Sequence, residues 1–104
     1  MPPRLAGLLI EMASVTRDSV PTPQARLRLE RLDDELLVYD AETARTIYLN
    51  PTASMIWTLC DGRRAVREIV ELLTEAFPED GAAIENDVEE TLRRFASEGA
   101  IRFA

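Results

Sequence analysis

A chain of 104 residues is the length of one domain, and one this small cannot enclose a deep active site without emptying its own core, so a surface groove is favoured. The formal net charge is −7 and all twelve basic residues are arginine; without lysine or histidine there is no Schiff-base amine and no imidazole for proton transfer or metal ligation. Cys60 is the only cysteine, which excludes an intramolecular disulfide and a cysteine–histidine zinc site and suits a reducing cytoplasm.

Residues 1–25 read as an N-terminal arm and linker, flexible or held in a contact between subunits. Leu5, Leu8, Leu9 and Met12 fall at helical spacing. The run from Leu5 to Ile10 is too short for a signal peptide or a membrane span and is interrupted by Glu11, so no membrane association is expected. Ser19-Val20-Pro21-Thr22-Pro23-Gln24 is turn-rich and hostile to helix, and reads as the linker to a domain over residues 26–104.

Within that domain, Leu27 and Leu29 alternate with Arg26, Arg28 and Glu30 as in a half-buried strand. After the polar turn Asp33-Asp34-Glu35, Leu36-Leu37-Val38-Tyr39 predicts a second strand, and a turn over residues 40–43 returns Arg45–Leu49 as a third. On this third strand Ile47 and Leu49 share one face, Thr46 and Tyr48 the other. Asn50-Pro51 then opens a helix: the asparagine oxygen accepts an orphan N–H, and proline brings a pre-set φ where its own N–H is not needed. Asp61-Gly62 closes that helix.

Val66, Ile69, Val70, Leu73 and Phe77 repeat at helical spacing until Pro78 ends a second helix. Ala65 stands where a hydroxyl residue would complete a capping box with Glu68, so this helix is expected to start without a sharp cap. A third helix, read from about Ala82 to Glu98, carries the stripe Ile84, Val88, Thr91, Leu92 and Phe95, with Gly99 beyond its end and a short extended segment over Ala100–Phe103. The fold class is α+β: a small winged-helix-like domain, a three-stranded antiparallel meander followed by three helices and a short closing strand.

Tyr48-Leu49-Asn50, Ile56-Trp57, Asp61-Gly62 and Gly99-Ala100-Ile101, in this order and spacing, resemble the PqqD-like family, named for pyrroloquinoline-quinone biosynthesis, over roughly residues 26–103. The resemblance implies a non-catalytic peptide chaperone, the recognition element for ribosomally made, modified peptides. Its guest is the leader segment of a precursor peptide, presented to a modifying enzyme that is often of the radical S-adenosylmethionine class; the iron–sulfur clusters belong to that partner, since one cysteine cannot hold them. No cofactor or metal is expected on this chain.

A third strand followed by a helix is expected at a sheet edge, where an extended peptide adds as a further strand. The expected peptide-binding residues are Arg45, Thr46, Ile47, Tyr48 and Leu49, with Asp87, Thr91, Arg94 and Glu98 along one border of the third helix; Glu85 and Glu89 line the other border. Trp57 reads as core or a subunit contact, Cys60 as core, and Arg63, Arg64 and Arg67 as a solvated face. The competing reading is a homo-oligomeric structural or regulatory winged-helix protein, a homodimer paired through the arm or the edge strand. Nucleic acid is not an expected partner, because the third helix carries five acidic and two basic residues between Ala82 and Glu98, a net of −3 that phosphates repel. The acidic runs Asp33-Asp34-Glu35 and Glu89-Glu90 read as solvated turn and helix positions, not as a catalytic pair, and the chain is not expected to be an enzyme.

Overall fold

The computed structural model describes residues 15–104, so the expectation for Leu5, Leu8, Leu9 and Met12 lies outside the described residues. The elements run β1 (Pro21–Pro23), β2 (Arg28–Leu32), β3 (Glu35–Asp40), β4 (Arg45–Leu49), α1 (Pro51–Leu59), α2 (Val66–Ala76), a 3-10 turn (Pro78–Asp80), α3 (Gly81–Ser97) and β5 (Ile101–Phe103). This is the expected α+β arrangement. The antiparallel meander has the order β2-β3-β4, which makes β3 central and leaves β2 and β4 as edges.

Leu36 stands opposite Leu49, and Val38 opposite Ile47, so one sheet face presents four buried aliphatic side chains to the helices. Tyr39, Thr46 and Tyr48 point to the other face and are exposed. β2 is wetter than its alternation suggests. Leu29 faces the helix side, opposite Val38, yet is 54% exposed, because the helices cover β3 and β4 and leave Leu29 at the rim of a cleft with Trp57 and Cys60. Both hairpin turns use a non-glycine residue at positive φ, Asp33 and Ala44, each at 56°.

The cap at Asn50 forms as expected, its Oδ1 accepting the N–H of Ala53 at 2.8 Å. Trp57 on α1 meets Phe95 on α3 edge to face, with ring centroids 5.3 Å apart, at the centre of a core that also takes in Val66, Ile69, Val88 and Leu92. α3 ends in a Schellman motif: Gly99 at φ 75° donates to Ala96 O and Ala100 donates to Phe95 O. Phe77, expected on the buried stripe of α2, is instead exposed beyond the helix end, where Pro78 turns the chain away from the core.

The linker reading of residues 19–24 is corrected, because Pro21–Pro23 is a strand paired antiparallel with β5. Val20 and Ala104 exchange both backbone bonds, and Gln24 N–H donates to Ala100 O. By strand alternation Pro21 and Pro23 fall at the intervening positions, where the ladder needs no N–H from them. The preceding residues also supply what Ala65 lacks. The first two N–H groups of α2, from Val66 and Arg67, donate to Ser19 O at 2.9 Å and Arg17 O at 3.0 Å. Glu68 keeps its half of the capping box, accepting from Ala65 N–H at 3.3 Å.

Candidate functional site

β4 is an edge strand because its successor in the chain is a helix, and the Asn50-Pro51 cap turns the backbone away before another strand can pair. Its side chains divide by the pleat. Ile47 and Leu49 are buried in the core, so at an edge site they offer backbone groups only, whereas Thr46 and Tyr48 are exposed and Tyr48 is half open to solvent. Arg45 opens the strand opposite Asp40 and is exposed.

One side chain crosses from α3 to this edge. Arg94 Nη2 donates to the main-chain carbonyl of Tyr48 at 3.3 Å, so that carbonyl faces away from β3. In an antiparallel ladder the backbone groups of alternate residues point the same way, which places the N–H and C=O of Thr46 and Tyr48 on the open side. Arg94 Nε also lies 3.6 Å from Glu98 Oε2, an atom that is buried and has no hydrogen-bond partner. Tyr48, Arg94 and Glu98 thus lie together between β4 and α3.

Asp87, on the same flank of α3, lines a different feature. It rims a cleft of about 230 Å³ formed by Thr52 and Met55 of α1, Leu73 and Phe77 at the end of α2, and Ile84 and Val88 of α3. Asp80 is the second carboxylate in the lining, so an apolar floor carries acidic edges. Thr91 is half-buried between the cleft and Arg94 along the helix flank. Thr52 and Met55 were not singled out from sequence, and Phe77 was read only as part of the apolar stripe of α2; an aromatic residue directly before a helix-stopping proline is the one signal that pointed toward this cleft.

Cys60 is buried, its thiol donates to Ile56 O at 3.2 Å, and burial followed by the neighbouring Asp61 charge pushes its pKa up to about 12. It is a core group and no nucleophile at neutral pH. Asp61 accepts the N–H groups of Arg63 and Arg64, which holds its carboxyl below the usual value. The three arginines are accounted for on the surface: Arg64 pairs with Asp61, Arg67 pairs with Asp18, and Arg63 is exposed. Among the described residues no three histidine, cysteine or acidic side chains group to hold a metal ion, and no helix is long and apolar enough to cross a membrane.

Comparison with known proteins gives consistent matches. The profile of the family described as Coenzyme PQQ synthesis protein D (PqqD) matches residues 35–101. A PqqA binding protein of Xanthomonas oryzae pv. oryzae is 36% identical over 79 residues, covering 74% of this chain and 84% of the relative. A PqqA binding protein of Klebsiella pneumoniae is 49% identical over 45 residues, covering 43% of this chain and 48% of the relative. Among solved structures, the PqqD truncation of Methylobacterium extorquens PqqCD, described as a functional stand-alone recognition element for ribosomally synthesised and modified peptides, superposes with a TM-score of 0.71 at 26% identity over 88% of this chain and 98% of the other. TbiB1 in complex with the TbiA(beta) leader peptide has the same fold, with a TM-score of 0.71 at 22% identity over 78% and 94% of the two chains.

Proposed function

This chain belongs to the PqqD family, and we propose that it is a non-catalytic peptide chaperone that binds the leader segment of a ribosomally made precursor of the PqqA kind and presents it to a modifying enzyme. The observation that carries the reading is the open edge of β4, where Thr46 and Tyr48 turn their backbone groups outward beneath α3. A guest strand is recognised there by main-chain hydrogen bonds from these two residues. Arg45 lies along the same strand, Ile47 and Leu49 contribute its buried side, and Asp87, Thr91, Arg94 and Glu98 border the guest's side chains. The cleft beside Asp87 suits an apolar anchor followed by a basic residue.

Such a module promotes a reaction without a catalytic group of its own, because tethering raises the effective concentration of substrate at the partner's active site. The partner enzyme is of the radical S-adenosylmethionine class and carries its own clusters. The setting is the cytoplasm, with residues 26–104 as the recognition domain and residues 1–25 as an arm whose last part is built into it.

The test is titration calorimetry of the purified chain with synthetic precursor peptides, taking Xanthomonas oryzae PqqA and the short reading frames encoded beside this chain's gene. Saturable one-to-one binding is expected. Thr46→Pro, which removes an outward N–H while keeping the bonds to β3, is expected to weaken it by about tenfold or more with the fold intact. Failure of every peptide to bind, with dimerisation that Thr46→Pro abolishes, would favour a self-pairing edge.

A further inference from the structure

In the free chain the carbonyl that strand addition requires is already occupied. Tyr48 O takes a hydrogen bond from Arg94 Nη2 at 3.3 Å, and a guest strand needs this same acceptor for one of its own N–H groups. The arginine is only partly committed, with about half of its side chain open to solvent. Four residues on, Glu98 holds a buried oxygen with no hydrogen-bond partner, 3.6 Å from Arg94 Nε and so just outside bonding range. A small rotation of the guanidinium away from the strand would complete that bond and uncover Tyr48 O in one movement.

We propose that Arg94 is a latch on the β4 edge, swinging from Tyr48 O to Glu98 when a peptide adds as a strand, and that Glu98 is the seat that receives it. This rests on the leader-binding reading of the same edge and adds a step to it. The arrangement is physically economical in two respects. An unpaired strand edge is a template for self-association, and a charged side chain bonded across it is a common means of blocking that pairing. The edge must nevertheless open for a guest, and a buried acceptor left unsatisfied in the closed state lowers the cost of opening, because the bond lost at Tyr48 is replaced at Glu98. Arg94 is accordingly a positioning residue that competes with the guest's backbone.

The sign of one substitution separates this from the ordinary alternative. Arg94→Met keeps the apolar stem and removes the donor. If Arg94 is a latch, this variant binds synthetic PqqA about three- to tenfold more tightly, mostly through faster association, as expected for one hydrogen bond that no longer has to be broken. If Arg94 instead holds the guest, binding weakens, and an unchanged or reduced affinity overturns the proposal. Glu98→Gln is expected to weaken binding in the parent chain and to have no further effect in the Arg94→Met background, the coupling that a shared two-position element requires.

A second measurement needs no guest. The carbonyl carbon shift of Tyr48 in the free chain is expected to move on Arg94→Met while that of Ile47 stays in place; an unmoved Tyr48 signal overturns the latch by itself. Should PqqA bind neither the parent chain nor the variant, it is the leader-binding reading that fails, and the Tyr48 carbonyl still decides whether the latch exists.

Discussion

The guanidinium of Arg26 grips the carboxylate of Asp40 with two nitrogens, Nε at 3.2 Å from Oδ1 and Nη2 at 3.1 Å from Oδ2. The same Nη2 donates to Gly99 O at 3.3 Å, so one side chain ties the start of the meander, the end of β3 and the end of α3. Asp40 is only 4% exposed, and its carboxyl is held below the usual value by the Arg26 bonds and by the N–H of Glu42, against the opposing effect of burial. A group whose folded pKa is depressed stabilises the fold above its unfolded value and loses that contribution as pH falls through the folded one. Arg26→Met is therefore expected to lower the urea midpoint near neutral pH, and the gap from the parent chain should close below about pH 3.8, the ordinary carboxyl value. A gap that is constant with pH would assign the loss to packing alone.

Residues 17–19 replace the missing cap of α2. A chain beginning at Val20 loses the carbonyls of Arg17 and Ser19 that accept from Arg67 and Val66, together with the Arg67–Asp18 pair. Compared with a chain beginning at Val15, it is expected to be about 1–3 kcal/mol less stable to denaturant. Ala65→Ser should recover part of this, since its hydroxyl can accept from Glu68 N–H.

Ala44 closes the β3–β4 turn at φ 56°, in the region where a side chain costs about 1–2 kcal/mol. Ala44→Gly is expected to raise stability by about 0.5–1 kcal/mol, the relief being reduced by the greater freedom of glycine when unfolded. A thermal melt of the two chains checks it, and a lower midpoint for the glycine variant would mean that the turn is not strained.

Cys60 should be silent to a thiol reagent such as dithiobisnitrobenzoate at mildly alkaline pH, because its thiol is buried and its pKa is pushed up to about 12. Full reactivity is expected only in concentrated guanidinium chloride. Labelling of the native chain on the timescale of a free thiol would show that the end of α1 opens locally.

The parts legible from sequence were those set by neighbours along the chain. Asn50-Pro51 capped α1 because an N-cap and an N1 proline act within one turn, and alternation put Ile47 and Leu49 on one face of their strand, the face that is buried. Pairings between distant segments were not legible. Pro21-Thr22-Pro23 looks like a linker to any local rule, and it becomes a strand only because β5, some eighty residues later, meets it in the register that leaves both prolines off the ladder. Leu29 alternates correctly but lies beyond the reach of the helices, a fact of their lengths and angles that its neighbours do not encode. At the site, the periodicity of α3 marked two flanks, and the reading took Asp87, Thr91, Arg94 and Glu98 over Glu85 and Glu89. The structure carries Arg94 to Tyr48 O and sets Asp87 at the cleft lined by Thr52, Met55 and Phe77, neither of which the helical period encodes.

Whether a leader peptide lengthens the sheet at β4 is decided by intermolecular nuclear Overhauser effects in a complex of labelled chain with unlabelled synthetic PqqA. Strand addition at β4 gives contacts from the guest backbone to the α-protons and amides of Thr46 and Tyr48, with both amides becoming protected from exchange and the side-chain contacts falling along α3 from Asp87 to Glu98. Contacts confined to β2, the other open edge, or a guest that binds as a helix in the cleft between α1 and α3, would contradict it.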